Sequence, residues 1–365
     1  MQQLFLRGSI ERRRFLLVIK IRLCYNVRKE SGKHYQYAGG LIMKRTISLL
    51  ITGAILCMAA VSVQSGHSGI VLKELPVPHA AAPEQDLSMV SLEESQKENT
   101  TAKSVVAGGK VSLLDPAGST LESRFLVPAG YKRLEKPAGS LQGYLRQYSM
   151  KPDKSPVLLY DGKEKRRQDV HAAVFSMPLV EGDLQQCADS VIRMYGEYLW
   201  SVGAYNGISF HLTSGFLMDY PSWRAGKRLL VDNNKVSWVQ KAAYDDSKES
   251  FVKYLRQVMV YAGTLSLEKE CTSTDLSQVL AGDLLIRGGS PGHCVMVVDV
   301  AEDESGNRCF LLAQGYMPAQ EFHVLNNPLH DADPWYYSNE IKDTVITPEY
   351  TFSIDSLKRW REFSR

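Results

Sequence analysis

The sequence lacks the closely spaced histidines and cysteines that mark most metal sites. No CxxC, HxxxH or HExxH stretch occurs in its 365 residues, and zinc sites are usually built on such spacings. Four histidines that could be considered as ligands, His171, His211, His293 and His323, lie far apart in the sequence. We therefore expect neither a bound metal ion nor another cofactor.

Aromatic residues are absent from one long stretch, residues 64–120, which is rich in Ser, Ala, Pro, Gln, Glu and Gly. A segment of this composition cannot bury enough apolar surface to offset the entropy that it loses on folding. We expect a disordered spacer there and a globular domain over residues 121–365, where all five Trp lie. That length suffices for one large domain with a substantial core.

Charged residues are also absent from the run Thr46–Val63, which follows the positive pair Lys44 and Arg45 and ends in small residues. Positive, apolar and small segments in that order are typical of a secretory signal peptide. A membrane-spanning helix usually needs about 20 apolar residues, and this run is shorter and contains Thr and Ser. We expect a signal peptide over residues 43–63, translation from Met43, and export to the periplasm or cell surface.

Residues 1–42 fit no part of a signal peptide. They contain nine Lys and Arg against two Glu, a net charge of +7. We interpret them as an upstream extension from a mis-called start codon. The alternative is a basic cytoplasmic arm ahead of a signal anchor, which would tether the protein to the membrane. A lipid anchor on Cys57 is disfavoured because Leu56 stands where the attachment box has a small residue.

The exported part has no excess of positive charge. The whole chain carries +3, but without residues 1–42 and the signal's Lys44 and Arg45 the remainder carries −6. Nucleic-acid binding requires clustered cations that neutralise phosphates. We therefore expect no nucleic-acid partner, and membrane contact only through the signal or a lipid anchor.

Helical and strand patterns both occur in the globular part. Apolar residues recur at helical spacing over Leu184–Trp200 and Phe251–Tyr261. Three later segments read as consecutive antiparallel strands: Asp283–Arg287, Cys294–Val300 and Cys309–Gln314. Helices followed by a β-meander predict a single domain of the α+β class.

A cysteine lies in the first turn of the first predicted helix. Asp183 is the expected N-cap, with Gln186 completing a capping box. The positive end of the helix lowers the pKa of a nearby thiol, which favours the thiolate of Cys187 as a nucleophile. With Asp183 as the cap, however, Cys187 is the fourth helical residue and shares the apolar stripe of Val191, as a buried and unreactive cysteine would.

A histidine follows a turn rich in Gly and Pro, residues 288–292, and begins the second predicted strand. Packing alone hardly explains a histidine at such a turn. The next strand ends at Gln314, so the chain order is cysteine on a helix, histidine on a strand and a polar residue on the following strand. This is the order of papain-like thiol enzymes. We expect Cys187 to be the nucleophile, His293 the general base and Gln314 the residue that orients the imidazole.

The strand register leaves a second candidate for the orienting residue. A turn centred near residues 305–306 places His293 level with Pro318, so that Gln320 is the alternate orienter unless a bulge intervenes. A disulfide between Cys187 and another cysteine would exclude the thiol-enzyme interpretation altogether.

Substrate-binding candidates lie on both sides of these residues. Backbone N–H groups at the helix start, with Gln185 or Gln186, would stabilise an oxyanion, and Tyr316 follows the orienting residue. A second cluster over residues 210–226 offers Trp223 and Arg224 for binding sugar or peptide. The alternative is that this cluster is a long loop packed on the core.

Three segments together resemble a bacterial family known as domain of unknown function 4846. They are Leu-Gln-Gln-Cys-Ala-Asp at 184–189, Gly-Gly-Ser-Pro-Gly-His at 288–293 and Met-Pro-Ala-Gln at 317–320, and the resemblance extends over residues 127–360. It implies a secreted or lipid-anchored bacterial protein with these segments as its site, and no particular activity. The Gly-Asp-Leu-Leu and Gly-His segments around residue 293 also resemble the NlpC/P60 peptidoglycan hydrolases, which implies a papain-like fold with a helix-borne cysteine packed on an antiparallel sheet.

These observations favour a secreted Cys–His hydrolase of amide bonds, such as those of cell-wall peptide. The alternative is a non-catalytic envelope protein of the same fold that binds glycan or peptide through residues 210–226.

Overall fold

The computed structural model describes residues 106–107, 110–233 and 235–363. Its helices are α1 Leu121–Arg124, α2 Leu141–Arg146, α3 Cys187–Ser201, α4 Tyr220–Arg224, α5 Lys248–Tyr261 and α6 Thr264–Lys269. Its strands are β1 Val106–Ala107, β2 Lys110–Val111, β3 Tyr131–Arg133, β4 His171–Val174, β5 Ser209–His211, β6 Leu217–Asp219, β7 Lys227–Asp232, β8 Lys235–Gln240, β9 Cys271–Ser273, β10 Leu284–Arg287, β11 His293–Asp303, β12 Arg308–Gln314, β13 His323–Leu325, β14 Tyr336–Tyr337, β15 Thr344–Ile346, β16 Thr351–Ser353 and β17 Leu357–Trp360.

The predicted signal peptide and upstream extension lie outside the described residues, as does most of the predicted spacer. Within the described ranges, no helix combines the length and the apolar character that crossing a membrane requires.

A nine-stranded antiparallel sheet organises the domain. Its strand order is β4-β13-β12-β11-β10-β17-β9, with β14 also paired to β12 and β3 to β11. The central strands β10, β11 and β12 are apolar and almost wholly buried, so that both faces of the sheet contribute to the core. Helices and an antiparallel sheet together confirm the predicted α+β class, and the three predicted consecutive strands are β10, β11 and β12.

A bulge interrupts the pairing of the two longest strands. Ala301 pairs with Cys309 near the hairpin turn, but Met296 pairs with Ala313 beyond it, a shift of one residue between Val297 and Asp299. A bulge places an extra residue in one strand and changes the alignment of everything that follows. The ends of β11 and β12 are therefore aligned differently from a regular hairpin.

Helix α3 packs on this sheet through its apolar face. Val191, Ile192 and Tyr195 are buried, and each contributes about 1.5–3 kcal/mol to folding. The Tyr195 ring stacks on Trp360 of β17 with 4.6 Å between ring centroids, and its hydroxyl donates to the Gly282 carbonyl at 2.6 Å. Aromatic stacking and a buried hydrogen bond therefore fix α3 relative to the strands.

The folded part begins before residue 121. The Leu113 N–H donates to the Ala332 carbonyl, and the Asp115 N–H donates to the Arg124 carbonyl at 2.8 Å. Leu113 and Leu114 also pack against the core. The end of the segment that its composition assigned to the spacer is thus attached to the domain.

Candidate active site

Cys187 is the first residue of α3. The N-cap is Gln186, whose N–H donates to Asp189 Oδ2 at 3.1 Å. The prediction of Asp183 as N-cap was wrong, because its carboxylate accepts the Ala319 N–H at 2.7 Å instead. The helix therefore starts three residues later than predicted, and Cys187 lies closer to its positive end.

Burial, not the helix end, dominates the chemistry of this thiol. Cys187 is partly exposed as a residue, yet burial, with a smaller effect of Asp189, raises the pKa of its thiol to about 11. Hydrogen bonds from the backbone of Ala188 and Cys294 oppose this rise. The expected lowered pKa was therefore wrong. At that value about one molecule in 10,000 carries the thiolate at pH 7.

The cysteines that the structure describes, Cys187, Cys271, Cys294 and Cys309, are all free thiols. None of these four forms the disulfide that would have excluded a nucleophilic Cys187.

His293 and Gln314 meet at the ends of β11 and β12. The His293 Nε2 lies 2.7 Å from Gln314 Oε1, and both side chains are buried. The predicted alignment of His293 with Pro318 was wrong, because the turn and the bulge each shift the ladder by one residue, so that Met296 pairs with Ala313. The Gln320 amide instead donates to the Pro318 carbonyl at 3.0 Å. The structure thus pairs His293 with Gln314, the first of the two candidates.

The neighbours of Gln314 determine which way its amide points. Its Nε2 donates to Glu349 Oε2 at 2.7 Å and lies 3.5 Å from His323 Nε2. A carboxylate oxygen only accepts, and His323 Nε2 is an acceptor because its Nδ1 donates to the Glu321 carbonyl at 2.7 Å. The Gln314 NH₂ therefore faces these two acceptors, and its Oε1 faces His293.

This orientation fixes the tautomer of His293. Because Gln314 Oε1 can only accept, the His293 Nε2 must carry the proton. The neutral ring then has its lone pair on Nδ1. His293 can consequently accept a proton at Nδ1, the nitrogen that Gln314 leaves free.

Aromatic rings surround His293. The ring centroids of Tyr316, Tyr350 and Phe352 lie 4.8, 5.2 and 5.8 Å from that of His293. This burial lowers the pKa of His293 to about 4, against a raising effect of the Gln314 hydrogen bond. His293 is therefore a neutral base at pH 7.

Lys165 closes the network around Glu349. Its ammonium pairs with the Glu349 carboxylate and lies 5.4 Å above the Tyr316 ring, a cation–π contact. Burial lowers the pKa of Lys165. Hydrogen bonds, an ion pair and ring contacts thus connect His293, Gln314, Glu349, Lys165 and Tyr316.

A glycine allows the two halves of the site to approach. A Cβ on Gly315 would lie 2.5 Å from Ser190 Oγ and 3.0 Å from the Gln186 carbonyl oxygen. Only a residue without a side chain lets the end of β12 lie this close to the first turn of α3. Gly315 therefore sets the spacing between the segments that carry Gln314 and Cys187.

Two of the predicted substrate-binding residues lie at this site. Tyr316 borders His293, and Gln186 caps the helix that begins with Cys187, its amide donating to Asp183 Oδ1 at 3.3 Å. The neighbouring Gln185 is fully buried, and its amide oxygen accepts from Arg193 at 2.7 Å. Of the two glutamines, Gln186 alone is partly exposed.

The other two predicted substrate-binding residues belong to a different cluster. Trp223 is 5% exposed, and its indole N–H donates to Ser250 of α5. The Arg224 guanidinium lies 4.7 Å from the centroid of the Tyr205 ring. Because a buried indole has no free face for a sugar ring, Trp223 corresponds to the packed-loop alternative.

Glu349, Lys165 and His323 were not predicted as parts of the site. Glu349 and Lys165 lie in loops without a local motif, and their pairing joins segments 184 residues apart. His323 was considered only as a metal ligand. Within the described ranges, no group of three or more His, Cys, Asp and Glu is arranged to hold a metal ion. Two surface depressions, one around Tyr336 and one around Glu270, contain neither Cys187 nor His293.

A family model described as "Domain of unknown function (4846)" matches residues 121–359. No curated protein and no solved structure matches the chain.

Proposed function

The chain belongs to the family described as domain of unknown function 4846, and from this premise we propose that it is a secreted thiol hydrolase that cleaves amide bonds. The observation that carries the proposal is the 2.7 Å contact between His293 Nε2 and Gln314 Oε1; Cys187 begins α3. A cysteine, a histidine and an orienting amide are the groups that a papain-like thiol enzyme needs.

The protonation states of Cys187 and His293 support an attack assisted by a general base. The pKa of Cys187 is about 11 and that of His293 about 4, so both groups are neutral at pH 7. A preformed thiolate–imidazolium pair is then not the resting state. His293 Nδ1 takes the thiol proton while the sulfur attacks, which is general-base catalysis.

The proposed reaction has two steps. The Cys187 sulfur adds to the amide carbonyl carbon as His293 Nδ1 accepts its proton, and backbone N–H groups at the start of α3, with Gln186, stabilise the oxyanion. His293 then returns the proton to the leaving nitrogen, the C–N bond breaks, and an amine departs from a thioester. Water, deprotonated by His293, hydrolyses the thioester to a carboxylate and regenerates the thiol.

The substrate class follows from the sequence. A signal-like segment at residues 43–63 and the resemblance of the His293 region to NlpC/P60 peptidoglycan hydrolases favour cell-wall peptide in the periplasm or at the cell surface. The same resemblance, together with a helix-borne cysteine against an antiparallel sheet, supports a papain-like core as part of the proposal.

Binding without catalysis is the second candidate function. Residues His211–Gly215 of the cluster 210–226 line a surface depression, which favours a ligand site there. Because Trp223 is buried, this candidate depends on the first part of the cluster alone.

The proposal is tested with purified cell-wall peptides and mass spectrometry of the products. Cys187→Ala should reduce cleavage by about a thousandfold or more, since it removes the nucleophile. Cys271→Ala is the matched control, because Cys271 is also a partly exposed free thiol and should leave cleavage unchanged. Equal cleavage by Cys187→Ala and the wild-type protein would exclude the thiol mechanism.

A further inference from the structure

One surface depression is lined by an acid–base pair, Glu270 and His211. It is lined by residues that follow β5, by the end of α6 and by a residue that follows β17: His211, Leu212, Thr213, Ser214, Gly215, Ser266, Lys269, Glu270 and Arg361. None of them takes part in the proposed reaction. We propose that this depression binds a monoanionic carboxylate group, such as the C-terminus of a peptide.

Glu270 is a buried carboxylate whose oxygens are already occupied. It accepts the His211 backbone N–H, contacts His211 Nδ1 at 2.9 Å and accepts the Trp360 indole N–H at 2.8 Å. A buried carboxylate with several N–H donors is well stabilised. It also holds the His211 ring, 41% exposed, in a fixed position at the wall of the depression.

Two cations border the same depression. Lys269 is an exposed lining residue; the neighbouring Glu268 pairs with Lys358. Arg361 donates one N–H to the Lys269 carbonyl, and its guanidinium keeps further donors for a carboxylate. Thr213 and Ser214 add exposed hydroxyl groups.

The charge balance selects the ligand. With His211 counted as neutral, the lining residues Lys269 and Arg361 contribute two positive charges and Glu270 one negative charge, a formal sum of +1. A carboxylate neutralises this charge, whereas a phosphate dianion would leave an excess of negative charge beside Glu270. The one positive charge in excess in the depression therefore favours a ligand with one negative charge.

The experiment titrates the whole protein with N-acetyl-dialanine, its C-terminal amide and inorganic phosphate at about pH 8, where the phosphate is mostly the dianion. The reporter is the Trp360 indole N–H resonance in a ¹H–¹⁵N spectrum, because this group contacts Glu270. We expect saturable shifts with the carboxylate, none with the amide and weaker binding of phosphate. Lys269→Gln should weaken carboxylate binding by about tenfold, and Lys241→Gln, another exposed lysine, should have no effect.

Equal binding of the amide, tighter binding of phosphate or no saturable shift would overturn the proposal, as would equal weakening by Lys269→Gln and Lys241→Gln. The site is independent of the proposed thiol chemistry, and Cys187→Ala should bind the carboxylate as the wild-type protein does. Loss of hydrolysis and loss of carboxylate binding are therefore distinguishable outcomes.

Discussion

Replacing Gln314 with glutamate should raise the pKa of His293. The amide oxygen lies 2.7 Å from His293 Nε2, and both side chains are buried. A full negative charge about 4 Å from the imidazolium contributes about 4 kcal/mol at an effective dielectric constant of 20, or about 3 pH units. Glu349, 2.7 Å from the Gln314 amide nitrogen, repels the new carboxylate and reduces this effect. We therefore expect the pKa of His293 to rise from about 4 by about 1 to 2 units.

The assay is an NMR titration of the histidine Cε1–H resonances. The protein has eight histidines, and His293 is identified by the signal that disappears in His293→Gln. Gln320→Glu is the matched control, because Gln320 is also buried but donates to Pro318. An unchanged His293 titration in Gln314→Glu, or an equal rise in Gln320→Glu, would refute the orienting role of Gln314.

Three further predictions concern stability and reactivity. The pKa of His293 is about 4 in the folded protein against 6.5 ordinarily, so its neutral form stabilises the fold above pH 6.5 and this contribution is lost as the pH falls towards 4. Between pH 7 and pH 5, the free energy of unfolding measured with urea should therefore fall by about 2 kcal/mol more in the wild-type protein than in His293→Gln. Equal decreases in the two proteins would contradict this. Gly315→Ala should cost about 1–3 kcal/mol in urea denaturation because its Cβ would overlap Ser190 Oγ, and Ser190→Ala in the same chain should restore part of the loss; an unaffected Gly315→Ala would show that the two segments separate freely. Alkylation of Cys187 by iodoacetamide should accelerate continuously from pH 6 to pH 10, as a thiol pKa of about 11 requires, whereas a rate already maximal at pH 6 would indicate a preformed thiolate.

The contact between His293 and Gln314 could be predicted because the signals that drew attention to these residues, and to Cys187, are local. A cysteine at a helix start, a histidine after a Gly/Pro-rich turn and a glutamine at a strand end can each be recognised within a few residues. Their order along the chain also predicts that Cys187 acts with His293 and Gln314, and this part stays a prediction.

Features that depend on distant segments could not be predicted. The start of α3 was misplaced because Asp183 accepts the N–H of Ala319, 136 residues away. The bulge between Val297 and Asp299 has no local sequence signal, and it decides between Gln314 and Gln320. Glu349, which determines the orientation of the Gln314 amide, comes from a loop far along the chain.

The burial of individual side chains could not be predicted from the sequence either. The helix end alone predicted a lowered pKa for Cys187, but the surrounding side chains raise it to about 11. Trp223 was expected to face a ligand, yet it packs on Ser250. Sequence patterns place residues on elements, whereas solvent exposure depends on the assembled core.

The central claim is that Cys187 forms an acyl intermediate with the help of His293. Intact-protein mass spectrometry after brief incubation with para-nitrophenyl acetate tests it most directly. We predict that Cys187 gains one acetyl group, which is then lost by hydrolysis. The acetyl group should form in Cys271→Ala but not in Cys187→Ala, and in His293→Gln it should form about a hundredfold or more slowly than in the wild-type protein. Equal acetylation of Cys187→Ala, or equal rates with and without His293, would contradict the claim.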